Sequence, residues 1–381
     1  MTPFPPRTSS RAIRRPFSIR SISVAALTAG ALVAVGCTPS SDPSPSDPAP
    51  VVRDPGSVQA PTTPTPTTPQ STPPAGSFIA AKERMGVGGC QLFPNNSVFH
   101  ADVSSLPASP SSAATIAAAG ADMPVRTSFR SSVWQGSRGG IPVNIVDSRS
   151  TPMQDVNLGT YHYMSDGRNH PIPSSPKVEG YPGMAWDRHM LIVDSATCTS
   201  HEFFYVNPPI PFITTRWSAE TAVKFDLSSN AARNRGSALA SGFSMLARMV
   251  RYDEVAAGEL NHVLGMSLPT ISNQGPIWPA GGSDGRSSNT NTPRMGTWFR
   301  LRADADLSGL GPQALVIARA LQRHGAILGD TGPANKTTIV GENSEKWNND
   351  DVDGLTRFTL SDFEIIDPTP MKVSNTTYEI R

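Results

Sequence analysis

Side chains that can transfer protons are concentrated between Trp186 and Val206, in the stretch WDRHMLIVDSATCTSHEFFYV. Asp187 and Glu202 are carboxylic acids, and His189 lies between them in the chain. A histidine held between carboxylates is fixed in one tautomer and stays basic, as general acid–base catalysis requires. The stretch therefore predicts an acid–base site. The alternative is a structural polar cluster on a half-buried sheet, which would contain the same residue types.

The same stretch predicts the local structure that brings these side chains together. Two apolar runs, HMLIVD and HEFFYV, flank a short polar turn, which is the pattern of a β-hairpin. If the turn pairs Val193 with Cys198, then His189 lies opposite Glu202. Side chains alternate between the two faces of a strand, so one face is expected to hold Asp187, His189, Glu202 and Cys198.

A further candidate acid lies outside the hairpin. Asp253 and Glu254 are adjacent in RMVRYDEVAAGEL, and we include Asp253 among the predicted acid–base residues. Glycosidases use two separated carboxylates, whereas adjacent side chains on a turn usually point apart, and one of them often caps a helix. His262, in LNHVL, is expected on the apolar face of a strand, as a buried structural histidine rather than a ligand.

The acidic run Asn349–Gly354 is the nearest approach to a metal-binding motif in the sequence. It resembles the opening of a calcium loop, but Asn349 replaces the first aspartate, and Leu360 stands where that loop needs its bidentate glutamate. We therefore predict no metal site, and the sequence leaves any cofactor unknown.

Most of the remaining chain has the pattern of short strands. Runs such as IPVNIVD, ELNHVLGMSL, MGTWFRLRA and FEIID are β-branched or aromatic and are bounded by Gly, Pro, Asn or Asp. Two segments, SSAATIAAAGA and GPQALVIARALQRHG, have helical spacing with serine or glycine at their ends. These patterns predict a mainly β fold, an antiparallel β-sandwich or jelly-roll-like domain with a few short helices.

Residues 1–36 have the pattern of a signal peptide. They contain five arginines and no acidic residue, and their apolar run, SVAALTAGALVAVG, ends at Cys37. The residues before Cys37 resemble a bacterial lipobox, which implies lipidation of its thiol. The alternative is an ordinary signal peptide with an incidental cysteine. The pair Arg14-Arg15 leaves the export route open between the general secretory and the twin-arginine pathways.

Composition divides the rest of the chain into a tether and a domain. Residues 37–76 are the lipidated cysteine and a linker rich in Pro, Ser and Thr, which has almost no apolar side chains to bury and so stays extended. Residues 77–381 are long enough for a single globular β-rich domain. The predicted localisation is the cell envelope, with the domain extracytoplasmic and the membrane contacted through the lipid anchor.

Two cysteines, Cys90 and Cys198, remain once Cys37 is lipidated. In an oxidising envelope two such cysteines most often form a disulfide, and two buried free thiols are the alternative. A bridge between them would attach the start of the domain to the hairpin.

The charge balance argues against a nucleic-acid partner. Removal of residues 1–36 takes away five of the 32 Lys and Arg residues and none of the 31 Asp and Glu residues, so the mature chain has a net charge near −4. Its sequence also contains no basic cluster with interleaved aromatic residues. We therefore expect no nucleic acid as a partner.

Several segments resemble the recurring blocks of a family of secreted bacterial proteins, lipoproteins among them, of uncharacterised function. They are CQLFPNNSVFHADVSSLP, WDRHMLIVDSATCTSHEFF, FDLSSN, VRYDEVAAGELNHVL, MGTWFRLRAD and RALQRHGAILGD, and they span nearly all of residues 88–367. The resemblance implies one extracellular domain behind a signal peptide and a linker, and it implies no particular reaction. Phe99-His100 stand where that family has a Trp-Asn pair, so no role is carried over to that position.

Two functions of different classes fit these patterns. The first is a surface hydrolase or lyase acting on a polysaccharide or another envelope polymer, with acid–base residues Asp187, His189, Glu202 and Asp253. Aromatic side chains would line its sugar cleft, and the candidates are Trp186, Trp217, Trp278, Trp298 and Tyr252. The second is a non-catalytic binding or structural module on a stalk. A deep cleft with perturbed acids would favour the enzyme, and a flat face without them would favour the module.

Overall fold

The computed structural model describes residues 86–183 and 187–381. All of these residues fall within one compact unit of the chain. The predicted signal peptide, Cys37 with its linker, and Trp186 lie outside the described residues, so what the sequence predicts for them stays a prediction. Within the described ranges, no helix has both the length and the apolar character needed to cross a bilayer.

Short strands account for most of the regular structure. They are β1 (Val125–Thr127), β2 (Val133–Trp134), β3 (Ser137–Arg138), β4 (Val143–Val146), β5 (Met153–Leu158), β6 (Asn169–Pro171), β7 (Met190–Asp194), β8 (Thr199–Phe204), β9 (Trp217–Ala219), β10 (Thr221–Asp226), β11 (Leu264–Leu268), β12 (Trp298–Leu301), β13 (Ala326–Thr331), β14 (Thr337–Ile339) and β15 (Phe363–Ile366). The α-helices are α1 (Ser112–Ala119), α2 (Tyr252–Ala257), α3 (Pro312–Arg323) and α4 (Asn349–Asp353). Short 3-10 helices span Val98–His100, His162–Met164, Leu246–Arg248, Gly354–Arg357, Leu360–Asp362 and Thr369–Met371. The predicted mainly β fold with a few short helices is confirmed.

The two helices predicted from sequence are present as α1 and α3. α3 begins with Pro312, whose fixed φ suits the first helical turn. The carboxylate of Asp351, in α4, accepts hydrogen bonds from the backbone amides of Gln313 and Ala314. Gly325 follows the helix with a φ of 67°, a conformation that stops helices. The acidic run that resembles a calcium loop is therefore a helix that caps α3.

The strands form two larger and two smaller sheets. The six-stranded sheet has the order β1-β14-β11-β13-β12-β15 and the four-stranded sheet the order β10-β8-β7-β4, while β6-β5-β9 and β2-β3 form the smaller ones. The sheets are mixed rather than wholly antiparallel, because β1 with β14, β4 with β7, β5 with β9 and β11 with β13 are parallel pairs. Parallel neighbours need long crossovers, and α3 belongs to the crossover between β11 and β13.

The two larger sheets share a hydrophobic core. One cluster of buried side chains contains Leu191 and Val223 of the four-stranded sheet together with Trp298 and Ile327 of the six-stranded sheet. A second cluster includes Ile317 of α3 and strands of the six-stranded sheet. Removal of this apolar surface from water is the main term that holds the sheets together. This shared core fixes β7 of one sheet relative to β13 of the other.

The predicted hairpin is present as β7 and β8, but its predicted register is wrong. Leu191, and not His189, lies opposite Glu202, so the pairing is shifted by two residues. His189 precedes β7, and its Nδ1 lies 3.1 Å from the backbone oxygen of Phe203. The predicted cross-strand pair of His189 and Glu202 is therefore absent.

The turn of the hairpin explains the shift. Asp194 pairs with Thr199, so the turn lies one residue later than predicted. The carboxylate of Asp194 accepts hydrogen bonds from the amide of Ala196 at 3.1 Å and from the hydroxyl of Thr197 at 2.6 Å, which fixes the chain reversal after Asp194. Cys198 has a φ of 49°, which suits a turn and not a strand.

The predicted disulfide between Cys90 and Cys198 is confirmed, with the two Cα atoms 5.4 Å apart and a sequence separation of 108. It attaches the first described segment to the turn of the hairpin. A bridge across a loop of this length contributes about 4–5 kcal/mol to stability in the chain-entropy model. The alternative of two free thiols is wrong.

Candidate active site

A cleft opens where the chain entering β7 meets the end of β13. It consists of two adjoining cavities of about 180 and 280 Å³, and both are lined by Asp187, His189, Leu239, Asp330 and Thr331. Asp187 and His189 precede β7, whereas Asp330 is near the end of β13, so the cleft joins groups from both larger sheets. We call these two cavities together the acidic cleft.

His189 has one ring nitrogen tied to the fold and the other unengaged. Its side chain is buried, and its Nδ1 lies 3.1 Å from the backbone oxygen of Phe203. A carbonyl oxygen can only accept, so Nδ1 carries the hydrogen, and the neutral ring keeps its lone pair on Nε2. None of the residues that the structure describes hydrogen-bonds Nε2. This is the arrangement that a general base needs.

Asp330 has the properties of a general acid. It is half-buried near the end of β13, just beyond a shift in the pairing of that strand with β11. Burial and the nearby carboxylate of Asp284 raise the pKa of Asp330 to about 7, and Asp187 acts in the same direction. The charge of His189 opposes them. A carboxyl group with this pKa still holds a proton near neutral pH and can donate it.

Glu179 fixes the backbone that carries His189. Its Oε2 accepts a hydrogen bond from the His189 amide at 3.1 Å, and its own amide donates to the His189 backbone oxygen at 2.9 Å. Burial raises the pKa of the Glu179 carboxyl, the charge of His189 lowers it, and that of Asp187 raises it again. Glu179 therefore adds a second perturbed acid to the smaller cavity of the cleft.

Arg248 also lines the smaller cavity. Only 1% of its surface is exposed, and its guanidinium lies 4.5 Å from the centre of the Phe243 ring. Nη1 donates to the backbone oxygen of Ile327 at 3.0 Å. Burial lowers the pKa of Arg248 to about 10, so the guanidinium is still protonated at neutral pH. The cleft therefore combines carboxyl groups, an imidazole and a buried cation.

Glu202, a predicted catalytic residue, does not line the acidic cleft. It is fully buried, and its carboxylate accepts hydrogen bonds from the hydroxyls of Ser244 at 2.6 Å and Ser200 at 3.0 Å. It also accepts one from the amide of Met245 at 2.7 Å. These bonds hold the chain at the start of the 3-10 helix that ends at Arg248. Burial raises the pKa of Glu202, whose place in the structure is that of a support for Arg248.

Asp253 is also outside the acidic cleft. It lies in the first turn of α2 with half of its side chain exposed and accepts a hydrogen bond from the Glu254 amide at 2.9 Å. Glu254 is buried and contacts Arg251 and His262, and Asp253 lies 3.9 Å from Nε of the same Arg251, so the two adjacent acids do not point apart. His262 is buried and bonded within the fold as predicted, with Nε2 to Glu254 and Nδ1 to the Val263 oxygen, but it lies in a bend before β11 and not on a strand.

A groove of about 610 Å³ has no charged side chain in its wall. Trp217 and Tyr181 line it together with Val178 and several prolines. Val178 and Tyr181 flank Glu179, which lines the acidic cleft, so one short loop contributes to both surfaces. We call this surface the aromatic groove.

The other aromatic residues predicted for a sugar cleft are in the core or packed on it. Trp298 is completely buried, and Trp278 packs against the core shared by the two larger sheets. Tyr252 packs edge-on against Trp347, with the ring centres 5.1 Å apart. Of the candidates in the described residues, only Trp217 lines the aromatic groove.

The sequence does not single out Glu179, Asp284 or Asp330. Asp330 has a local signal, because it ends the apolar run AILGD, and functional residues are common where a buried strand gives way to a loop. Glu179 and Asp284 lie in glycine-containing loops, KVEGYP and GGSDG, whose positions depend on tertiary contacts. One such contact is the hydrogen bond from the Thr331 hydroxyl to Asp284, at 2.8 Å.

Among residues 86–183 and 187–381, no three or more His, Cys, Asp and Glu side chains are grouped so that they could hold a metal ion. Comparison of the chain with protein-family models, curated proteins and solved structures returns no match. No family is therefore assigned, and the function is inferred from the acidic cleft.

Proposed function

We propose that this protein is an extracytoplasmic enzyme that cleaves a polysaccharide by general acid–base catalysis in the acidic cleft. One observation carries the proposal: His189, with an unengaged Nε2, and the half-buried Asp330 line the same two cavities. Cleavage of a glycosidic linkage needs one group that removes a proton and another that protonates the leaving oxygen.

The roles follow from the surroundings of each group. His189 is the base, because its Nδ1 is engaged by a backbone oxygen and its Nε2 is not. Asp330 is the acid, because burial and Asp284 keep it protonated near neutral pH. Glu179 is a positioning residue that holds the His189 backbone through two hydrogen bonds. This assignment keeps Asp187 and His189 in the site and replaces Glu202 and Asp253 with Asp330 and Glu179.

The aromatic groove supports a sugar polymer as the substrate. Trp217 and Tyr181 offer apolar faces on which sugar rings can stack. The loop that carries Tyr181 also carries Glu179 of the acidic cleft, so the aromatic groove and the cleft draw on the same short segment of the chain.

The proposed location is the outer face of a bacterial membrane, with Cys37 as the lipid anchor. The Cys90–Cys198 disulfide supports an oxidising compartment, since such bridges are rare in the cytosol. Cys37→Ser is expected to abolish metabolic labelling by radioactive palmitate. Persistence of the label in that variant would contradict the anchor.

The alternative function is a non-catalytic module that binds a sugar polymer through the aromatic groove. Trp217 and Tyr181 favour it, because they could hold a chain without any proton transfer. In that case Trp217→Ala abolishes binding, and substitutions of His189 and Asp330 change nothing that can be measured.

A panel of bacterial and plant polysaccharides, each assayed for new reducing ends, tests the proposal. Wild type is expected to cleave at least one polymer, and Asp330→Asn is expected to reduce that rate by about two to four orders of magnitude. Asp253→Asn is the matched control, because it removes an acid outside the cleft, and it is expected to keep full activity. Binding of a polymer with no cleavage under any condition would support the module instead.

A further inference from the structure

Arg248 is a buried cation that forms no salt bridge with a carboxylate in the described part of the chain, although the charges of Glu202 and Asp330 favour its protonated form. Its surface is 1% exposed, and its only hydrogen-bond acceptor there is the Ile327 backbone oxygen. Its Nε has no hydrogen-bond partner among the same residues. Burying a charge is costly unless the charge is paired, and a guanidinium is built for bidentate contact with a carboxylate. A ligand carboxylate is the partner whose chemistry fits this position.

Glycines let the guanidinium of Arg248 pack closely in the wall of the smaller cavity of the acidic cleft. Arg248, Gly265 and Gly329 all line that cavity. A Cβ at position 329 would lie 2.5 Å from Nη2 of Arg248, so any larger residue there would collide with the guanidinium. His189 and Asp330 line the same cavity, and a carboxylate bound to Arg248 is therefore held beside the proposed base and acid.

We infer that Arg248 binds the carboxylate of a hexuronate unit, so that the polysaccharide cleaved in the acidic cleft is a polyuronate. The inference rests on the proposed function and specifies its substrate class. It also specifies the reaction, because a guanidinium that neutralises a carboxylate makes the hydrogen on the adjacent carbon acidic enough for a base to remove. The linkage is then broken by β-elimination and not by water.

The elimination can be written with groups that line the cleft. Nε2 of His189 removes the proton on C5 of the uronate, and the electron pair left on C5 forms the C4=C5 double bond. The C4–O4 bond breaks as this bond forms, and O4 takes the proton of Asp330. Arg248 stabilises the negative charge that builds up on the carboxylate during proton removal. Solvent then returns a proton to Asp330 and takes one from His189, so no oxidant, reductant or other reactant is needed.

The remaining acids of the cleft restrict how a polyanion can bind. Asp187 and Asp284 are exposed, and Glu179 lies in the wall of the smaller cavity. Their charge repels a uronate carboxylate everywhere in the cleft except at Arg248, and this fixes the orientation of the sugar. Asp187 and Asp284 also help to keep Asp330 protonated, which the elimination requires.

The first experiment compares polygalacturonate, polymannuronate and hyaluronan with the neutral polymers cellulose and mannan. Each β-elimination creates one conjugated double bond, which absorbs ultraviolet light, and one new reducing end. We expect both products in equal amounts from at least one polyuronate and neither from the neutral polymers. Methyl esterification of the cleaved polyuronate, which removes the charge that Arg248 binds, is expected to lower the rate at least tenfold.

The second experiment substitutes Arg248. Arg248→Gln is expected to lower kcat/KM on the polyuronate by about 10²–10³-fold, as loss of one charge-stabilising donor does, and Arg248→Lys by less, because it keeps the charge. Arg302→Gln, an exposed arginine outside the cleft, is the matched control and should keep full activity. A second measurement does not depend on the folding of Arg248→Gln: the melting temperature of wild type is determined with galacturonate and with galactose. Only galacturonate is expected to raise the melting temperature.

The outcomes separate the inference from the proposed function. Reducing ends from neutral polymers without ultraviolet absorbance would overturn the polyuronate inference and leave the proposed enzyme standing. Equal stabilisation by galacturonate and galactose, or full activity of Arg248→Gln on a polyuronate, would overturn the inference as well. No cleavage of any polymer by wild type would remove the proposed function and the inference together.

Discussion

Two clusters of this protein contain the same residue types but differ in how many of their polar atoms are already hydrogen-bonded. In one, Glu254 bonds both Arg251 and His262, and the second ring nitrogen of His262 bonds a backbone oxygen. We call these three residues the inner cluster. In the acidic cleft, by contrast, His189 uses only one ring nitrogen, and Asp330 is half-buried in a cavity wall.

The comparison shows that residue type and burial do not distinguish the two clusters. His189 and His262 are about equally buried, at 5% and 4% exposure. The difference is that the polar atoms of the inner cluster are used within the fold, whereas part of the hydrogen-bonding capacity of the acidic cleft faces open space. The inner cluster should therefore matter for stability and the acidic cleft for activity.

The largest effect is expected from the acidic cleft. His189→Gln keeps an amide hydrogen for the Phe203 oxygen but has no basic nitrogen, and Asp330→Asn has no proton to give. Each should reduce turnover on the cleaved polysaccharide by about two to four orders of magnitude. Urea unfolding should show that both variants remain folded. Loss of activity only in proportion to loss of folded protein would make the cleft a structural site like the inner cluster.

The opposite result is expected from the inner cluster. Glu254→Gln removes the charge that Arg251 and His262 contact in a buried site, and the free energy of unfolding should fall by about 3 kcal/mol. Activity per folded molecule should not change. Asp253→Asn, at the neighbouring exposed position, is the control and should alter stability by less than about 0.5 kcal/mol. An unchanged unfolding midpoint for Glu254→Gln would contradict the comparison.

Glu202→Gln is expected to have a smaller and mixed effect. The amide keeps the shape of the side chain but presents a donor to groups that already donate, Ser244 and the Met245 amide, at a cost of about 1–3 kcal/mol. Since this segment carries Arg248, the KM for a polyuronate should rise while kcat changes less. A fall in kcat as large as that of Asp330→Asn would restore Glu202 to the catalytic residues.

A separate effect is expected in the pH dependence of stability. The pKa of Asp330 is raised from 3.8 to about 7 in the folded protein, so between these values the folded state binds more protons than the unfolded state. Its contribution to the free energy of unfolding therefore falls as pH rises from about 4 to about 7. Asp330→Asn lacks this decline, and its stability relative to wild type should increase across that range.

Buried histidines change the free energy of unfolding with pH in the opposite direction. They are present in both wild type and Asp330→Asn. Burial lowers the pKa of His170 to about 4 and that of His201 to about 3 from 6.5, so their contribution to stability is lost as pH falls below about 6.5. The histidine contributions therefore cancel when the free energy of unfolding of wild type is subtracted from that of Asp330→Asn. A difference that does not vary with pH would show that Asp330 titrates normally.

The sequence predicted the features that depend on local pattern. Apolar runs around a polar turn indicated the hairpin, and cysteine counting in an oxidising compartment paired Cys90 with Cys198. The helix α3 was indicated by the helical spacing of Leu315, Ala318, Leu321 and Gln322. The hairpin register failed because the sequence does not show that Asp194 caps the turn after it. A difference of one residue in turn position shifts every cross-strand pair by two.

The members of the acidic cleft could not be predicted in the same way. The sequence indicates Asp187 and His189 because they lie beside the predicted hairpin, in a stretch that contains several proton-transferring side chains. Asp330 meets them only because the two larger sheets pack on one core, and Glu179 only because its loop hydrogen-bonds the His189 backbone. Open hydrogen-bonding capacity, which separates the cleft from the inner cluster, is a property of the tertiary structure and has no signal in one sequence.

The pH dependence of kcat/KM on the cleaved polysaccharide tests the central claim most directly. A general acid must be protonated to act, and the pKa of Asp330 is about 7, so wild-type activity should fall as pH rises above about 7. Asp253→Asn should retain this decline. In Asp330→Asn the residual activity should lack it, because the titrating acid is gone. An alkaline decline that persists unchanged in Asp330→Asn would contradict the assignment of Asp330 as the acid and with it the account of the acidic cleft.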